Sequence, residues 1–184
     1  IRLEVINKGS ANWDSTYFAV FSDPDIGYGY DDCPGCDTIR NLGYAYDYFD
    51  NDPYYGAHPP AFGMRLLQGP YVSSGDTLKM TAFPNFTGNG AGWIPCETDP
   101  NGEPYPAYTL MRGFKKDGTP YLNPTIPLGQ GTRKTKFCFS GDPETNTGWT
   151  ARKGALTNCG GDTTGTLDTT YASDVRNLIS TGRD

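Results

Sequence analysis

The sequence predicts an all-β, β-sandwich-like fold with long Gly/Pro-rich loops and at most one short helix. Across 184 residues, 24 Gly and 15 Pro punctuate the chain every few positions, which suits short strands joined by structured turns. The apolar fraction of 36% is low, and 13 Tyr and 9 Phe supply much of it. Of the 21 acidic residues only Glu4, Glu97, Glu103 and Glu144 are Glu; Asp favours turns and metal loops, whereas Glu favours helices. The length fits a single β-rich domain over 1–184, long enough to bury a core.

Taken in order, Arg2 to Ile6 reads as a first strand, closed by a turn at Asn7-Lys8-Gly9-Ser10. Trp13 to Phe21 places Tyr17, Ala19 and Phe21 on one side and Phe18 and Val20 on the other, the pattern of a central sandwich strand. Thr38 to Phe49 alternates Leu42, Tyr44, Tyr46 and Tyr48 against smaller or polar residues. Phe62 to Val72 and Asp76 to Phe83 are two further strands, split by Ser73-Ser74-Gly75. Residues 84–106 are rich in Pro and Gly and nearly aperiodic, an insertion-like loop excursion. Tyr108 to Phe114 with Lys115-Lys116-Asp117-Gly118 signals a hairpin tipped by Asp-Gly. Thr135 to Phe139 is a strand, and Thr145 to Thr170 a polar loop. At the far end Val175, Leu178 and Ile179 have helical spacing, with Ser173 as N-cap and Gly182 as stop. A strand from Arg176 to Ser180 fits the period less well, and that element stays open between the two.

The most informative stretch is Ser22 to Asp37, where five carboxylates, three glycines and two prolines share one turn-rich segment. The glycines let the loop fold back and aim Asp23, Asp25, Asp31, Asp32 and Asp37 inward. Carboxylates that close repel unless a cation sits among them, and Ca2+ accepts six to eight oxygen ligands in flexible geometry. A solvated acidic turn is the bland alternative. An EF-hand loop counted from Asp23 would put Tyr28 at the glycine position and Pro34 at the bidentate Glu, so the site is of another kind. Asp47, Asp50 and Asp52 read as solvated turn residues, with a second-shell role or a second cation site as alternatives.

Net charge of −6 argues against a nucleic-acid partner, and no run of about 18 apolar residues exists to span a membrane. Five cysteines in such a chain suggest an oxidising compartment. Cys33, Cys36, Cys138 and Cys159 are the disulfide candidates; Cys33 and Cys36 flank Pro34-Gly35, a turn that would bridge them or send each to a different partner. Zinc is disfavoured because His58 is the only His and no second Cys-x-x-Cys occurs. Beside two prolines, His58 reads as a loop residue rather than a catalyst. Trp93 and Trp149, with surface Tyr, are candidate stacking platforms for glycans.

Several segments taken together resemble a recurring module of large secreted proteins of Bacteroidota and related bacteria, often cargo of the type IX secretion route. They are Ser22-Asp-Pro-Asp-Ile-Gly, Asp31-Asp with Gly35-Cys-Asp-Thr, Asn41-Leu-Gly-Tyr-Ala-Tyr, Tyr55-Gly with Pro59-Pro-Ala, Gln68-Gly-Pro, and Gly141-Asp-Pro-Glu-Thr with Gly148-Trp149. Asp174-Val-Arg with Ser180-Thr-Gly182 continues the likeness into the last segment. The resemblance implies an extracellular or cell-surface setting, a β-rich fold and no established catalytic activity. It also implies O-glycosylation where Asp-Ser/Thr precedes an apolar residue or Thr, at Ser15, Thr38, Thr77, Thr163 and Thr169. Asn85-Phe86-Thr87 fits the N-glycosylation acceptor pattern. The chain opens on Ile1 in what reads as mid-strand, so a processed piece of a longer secreted protein is expected. The function expected is a non-catalytic, calcium-stabilised structural or adhesive module that self-associates or packs against neighbouring domains. The alternative is a glycan-binding module or an accessory domain of a carbohydrate-active enzyme.

Overall fold

A computed structural model describes residues 1–72, 74–90, 93–169 and 174–183. Its strands are β1 (Tyr17–Ser22), β2 (Asp32–Asp37), β3 (Leu42–Asp47), β4 (Asn51–Asp52), β5 (Gly56–Ala57), β6 (Phe62–Arg65) and β7 (Asn85–Thr87) in the first half. The second half adds β8 (Tyr121–Leu122), β9 (Lys134–Thr135), β10 (Ala155–Thr157), β11 (Thr166–Asp168) and β12 (Val175–Gly182), with one α-helix among the described residues, α1 (Pro104–Met111), and three short 3-10 turns. Two three-stranded sheets, ordered β1-β12-β7 and β2-β3-β6, carry the architecture, and β4-β5, β8-β9 and β10-β11 are small hairpins. Every ladder between these strands is antiparallel, and the predicted all-β class holds.

The undecided last element is a strand. β12 lies between β1 and β7 and is buried along nearly its whole length, so apolar and small polar residues occupy both of its faces. Burial on both faces erases the period-2 signal, and the spacing of Val175, Leu178 and Ile179 then mimics a helix by coincidence. Ser173, its expected cap, lies outside the described residues, as do Ser73 and Thr170.

β1 corrects the expectation of a central strand. Among the described residues it pairs only with β12, and Val20 and Phe21 are about half exposed, so its apolar residues lie along an open sheet edge. Arg2 to Ile6 is exposed coil rather than a strand, with no ladder partner among the described residues.

The excursion at 84–106 is more structured than its composition suggests. Asn85–Thr87 pairs with β12 as β7, and Phe86 packs with Leu110 and Leu178 in a small second core. Asn85 is 1% exposed, and its side-chain amide donates to Arg176 O (3.2 Å) and Asn177 Oδ1 (2.8 Å), which removes it as a glycan acceptor.

Tyr108 to Met111, expected as a hairpin arm, belongs to α1. Pro104 starts the helix where a missing N–H costs nothing, and the buried Thr109 and Leu110 hold it in place. The Ser180 hydroxyl donates to Met111 O at 2.6 Å, tying the helix end to β12. The Asp-Gly tip survives: Phe114 and Pro120 form a bridge, and Lys115 N–H donates to Thr119 O.

The main core gathers Phe83, Phe139, Trp149, Met80, Tyr121 and Ile179 with Cys33, Cys36 and Cys138. Trp149, proposed as a stacking platform, is 3% exposed; its Nε1–H donates to Gly154 O at 2.8 Å and its ring lies 4.8 Å from Phe139. Trp93 is half-buried against Gly88 and Gly90. The two indoles therefore do not form an exposed pair.

The disulfide joins Cys96 to Cys159, so of the four candidates only Cys159 is bonded, with the cysteine left out as its partner. Cys33, Cys36 and Cys138 are buried free thiols. Pro34-Gly35 does not turn: it runs straight through β2, in register with Ala45 and Tyr44 of β3. Residues three apart in a strand point to opposite faces and sit about 10 Å apart, too far for a bridge. Burial pushes the Cys33 thiol up to about 12, and the thiols of Cys36 and Cys138 well above the ordinary range. Thiol-specific reagent is expected to leave native protein unlabelled and to titrate three thiols after denaturation under non-reducing conditions. Labelling of the folded chain at comparable speed would contradict this burial.

Candidate metal centre

The β2-β3 hairpin divides the acidic loop into three unlike sets of carboxylates. Asp37 ends β2 and serves the hairpin turn, its Oδ1 accepting from the N–H groups of Ile39 and Arg40 at 2.9 Å each. The Arg40 guanidinium bonds its other oxygen, and these contacts hold the carboxyl below its usual value. Asp23 accepts from Arg176 Nε at 3.0 Å, and the same guanidinium reaches Asp99 (3.3 Å) and Asp174 (3.5 Å). Asp25 stands beside Asp23 and Asp174 in that partly neutralised group.

Asp31 joins a different set. The register of the hairpin pairs Asp32 with Asp47, so the end of β3 returns to the start of β2 and brings Asp47 beside Asp31. β4 then adds Asp52. One carboxylate oxygen from each of Asp31, Asp47 and Asp52 lies within 4.8 Å of the others, and all three residues are buried. Calcium–oxygen bonds of about 2.3–2.6 Å place ligand atoms on opposite sides of an ion about 5 Å apart, so the spread suits that ion.

Two of the three, Asp52 and Asp47, are held by backbone donors. Asp52 Oδ1 accepts from Tyr54 N–H (2.7 Å) and Tyr55 N–H (2.6 Å), and its Oδ2 from Tyr28 N–H (2.9 Å). Burial raises the Asp52 carboxyl, but these three donors outweigh it and leave it below the usual value. Asp47 Oδ1 accepts from Phe49 N–H at 2.7 Å. Gly27 is required here: its φ is +69°, and an added Cβ would collide with the Asp52 carboxylate.

Two oxygens in this set, Asp31 Oδ1 and Asp47 Oδ2, have no hydrogen-bond donor among the described residues. Burial, and then the charges of Asp47 and Asp52, push the Asp31 carboxyl up. Next to it, Asp32 is fully buried; burial, offset in part by the Ile26 N–H and reinforced by Asp31 and Asp47, pushes it up to about 7. Its Oδ1 is also without a donor. Buried carboxylates without donors are costly, and a divalent cation would supply the missing partner.

Of the five residues proposed from the sequence, the structure thus brings only Asp31 into the buried set, with Asp32 adjoining it. Asp47 and Asp52 are the members that sequence reading set aside as turn residues. Their signal was the alternation of Leu42 to Tyr48, which specifies a strand returning antiparallel and carries Asp47 back to the loop.

The five Asp-Ser/Thr positions, Ser15, Thr38, Thr77, Thr163 and Thr169, are all exposed. His58 is exposed too, with its Nδ1 3.1 Å from Asp50. No family model, curated protein or solved structure matches the chain.

Proposed function

We propose that this chain is a non-catalytic structural or adhesive module of a cell-surface protein or extracellular fibre, with calcium bound among Asp31, Asp47 and Asp52. The observation that carries the reading is the pair of donor-less oxygens in a buried carboxylate cluster. The Cys96–Cys159 disulfide is compatible with an oxidising, extracellular setting. Calcium at this point ties the β2-β3 hairpin to β4, so its role is to hold a scaffold together. The open edge of β1 and the exposed apolar side chains of Ile1, Leu3, Val5 and Ile6 are surfaces on which copies or neighbouring domains can pair.

Calcium titration after exhaustive chelation is expected to show about one tight site. A ligand present at a hundredfold excess over its Kd stabilises by about 2.7 kcal/mol. At a few degrees per kcal/mol, chelation should therefore lower the Tm by roughly 5–10 °C. Asp31→Asn and Asp47→Asn should each abolish the calcium response while matching or exceeding wild-type stability in chelator, because each relieves like-charge repulsion. A Tm indifferent to chelation, with no calcium retained, defeats the reading. Sedimentation tests the assembly part: a strict monomer at every concentration, with and without calcium, argues against it.

A further inference from the structure

Five aromatic side chains stand exposed around the buried carboxylates: Tyr28 (47%), Tyr30 (60%), Phe49 (56%), Tyr54 (74%) and Tyr55 (58%). Their positions are not independent of that site. Four of the five, all but Tyr30, donate their backbone N–H to Asp47 or Asp52. Tyr30 directly precedes Asp31, and its ring lies 5.6 Å from that of Tyr28. The hydrogen bonds that orient these carboxylates therefore also gather the backbones of four exposed aromatic residues at this surface.

We infer that this surface binds a neutral polysaccharide and that calcium among Asp31, Asp47 and Asp52 keeps its rings in place, an inference that rests on the calcium reading above. Four of the five rings are phenols, which offer a flat apolar face to sugar C–H groups and a hydroxyl at the edge. Exposed Asp25 and Asp50, on the same two loops, provide acceptors for sugar hydroxyls. Residues 22–32 and 47–58 hold seven Asp and no Lys or Arg; from other elements Arg176 pairs with Asp23 and Arg152 bonds Tyr48 O, and the one imidazole, His58, contacts Asp50, which leaves the surface acidic on balance. That charge repels nucleic acids and anionic glycans, although both could use the rings alone. Aliphatic side chains, which an interface between protein copies would also recruit, are represented among the exposed residues of these loops only by Pro53 and Ala57.

The test is affinity electrophoresis of the whole chain through gels containing a soluble β-glucan, a xylan or a galactomannan, with hyaluronan, which calcium does not gel, as the anionic control. In millimolar calcium at least one neutral polymer is expected to retard the protein, and hyaluronan is not. Tyr54→Ala and Tyr55→Ala should each weaken retardation by roughly tenfold, judged by the worth of stacking on a single ring. Both variants should keep the calcium-dependent rise in Tm, which shows that the fold and the metal site are intact. Chelation should weaken retardation of the wild type to a similar degree. If calcium raises the Tm but no neutral polymer retards the protein, the polysaccharide inference is wrong and the calcium reading stands. If calcium leaves the Tm unchanged, the calcium reading itself fails and takes this inference with it. Retardation by hyaluronan alone, or a concentration-dependent oligomer abolished by Tyr54→Ala, would assign the surface to another partner and overturn the inference.

Discussion

Lys115→Met is expected to destabilise the chain by about 3–5 kcal/mol, because it leaves the Glu97 carboxyl buried without its cation. Lys115 is fully buried, and Glu97 is 5% exposed. The ammonium bonds Glu97 Oε1 and Asn158 Oδ1, and donates to Leu156 O at 3.2 Å, so all three of its protons are satisfied inside the protein. The Tyr121 ring, 5.5 Å away, adds a cation–π contact. Burial pushes the Glu97 carboxyl up even with the lysine present, whose charge and hydrogen bond pull it back. Without the lysine that upward shift grows. A carboxyl raised in the folded state binds protons that the unfolded chain has released, so stability is retained below the unfolded value and lost as pH rises through the folded one. The defect should therefore be large at neutral pH and shrink towards acid. Chemical denaturation of Lys115→Met at both pH values checks it, and adding Glu97→Gln should recover part of the loss at neutral pH. An unchanged denaturation midpoint would show that the pair contributes nothing net.

Removing the Cys96–Cys159 bridge has an effect of similar size. It closes a loop with a sequence separation of 63, for which the chain-entropy account gives about 4 kcal/mol. Cys96→Ala with Cys159→Ala should lower the denaturant midpoint to match, and reduction of the wild type should reproduce the shift. The two predictions are linked, because the bridged cysteines are direct neighbours of two lysine partners: Cys96 precedes Glu97, and Asn158 precedes Cys159. The bridge holds both acceptors at the ammonium. Combining Lys115→Met with the cysteine replacements should then cost less than the sum of the separate losses, by more than about 0.5 kcal/mol. Strict additivity would show that bridge and ion pair act independently.

Much of the chain was legible from one dimension. The β class followed from Gly and Pro punctuation and from alternation such as Leu42 to Tyr48, because these properties act over a few residues at a time. Short-range chemistry also marked the acidic stretch and the Asp117-Gly118 tip. Local signals failed where a partner distant in sequence set the outcome. Pro34-Gly35 looked like a turn and is a strand because β3 supplies a full ladder across from it. Val175 to Ile179 looked helical because burial on both faces of β12 removes the alternation that marks a strand. Tyr108 to Met111 is helix because Thr109 and Leu110 are buried there.

By itself, then, the sequence determined that carboxylates, rings and cysteines would be crowded into β-linked loops, since composition and turn chemistry are local. Tertiary structure alone decided which of them meet. Strand register carried Asp47 to Asp31, and long-range packing brought Asp52 to the same place, Asp23 to Arg176 and Cys96 to Cys159. Charge repulsion and bond formation depend on distance in space, and the sequence records only distance along the chain.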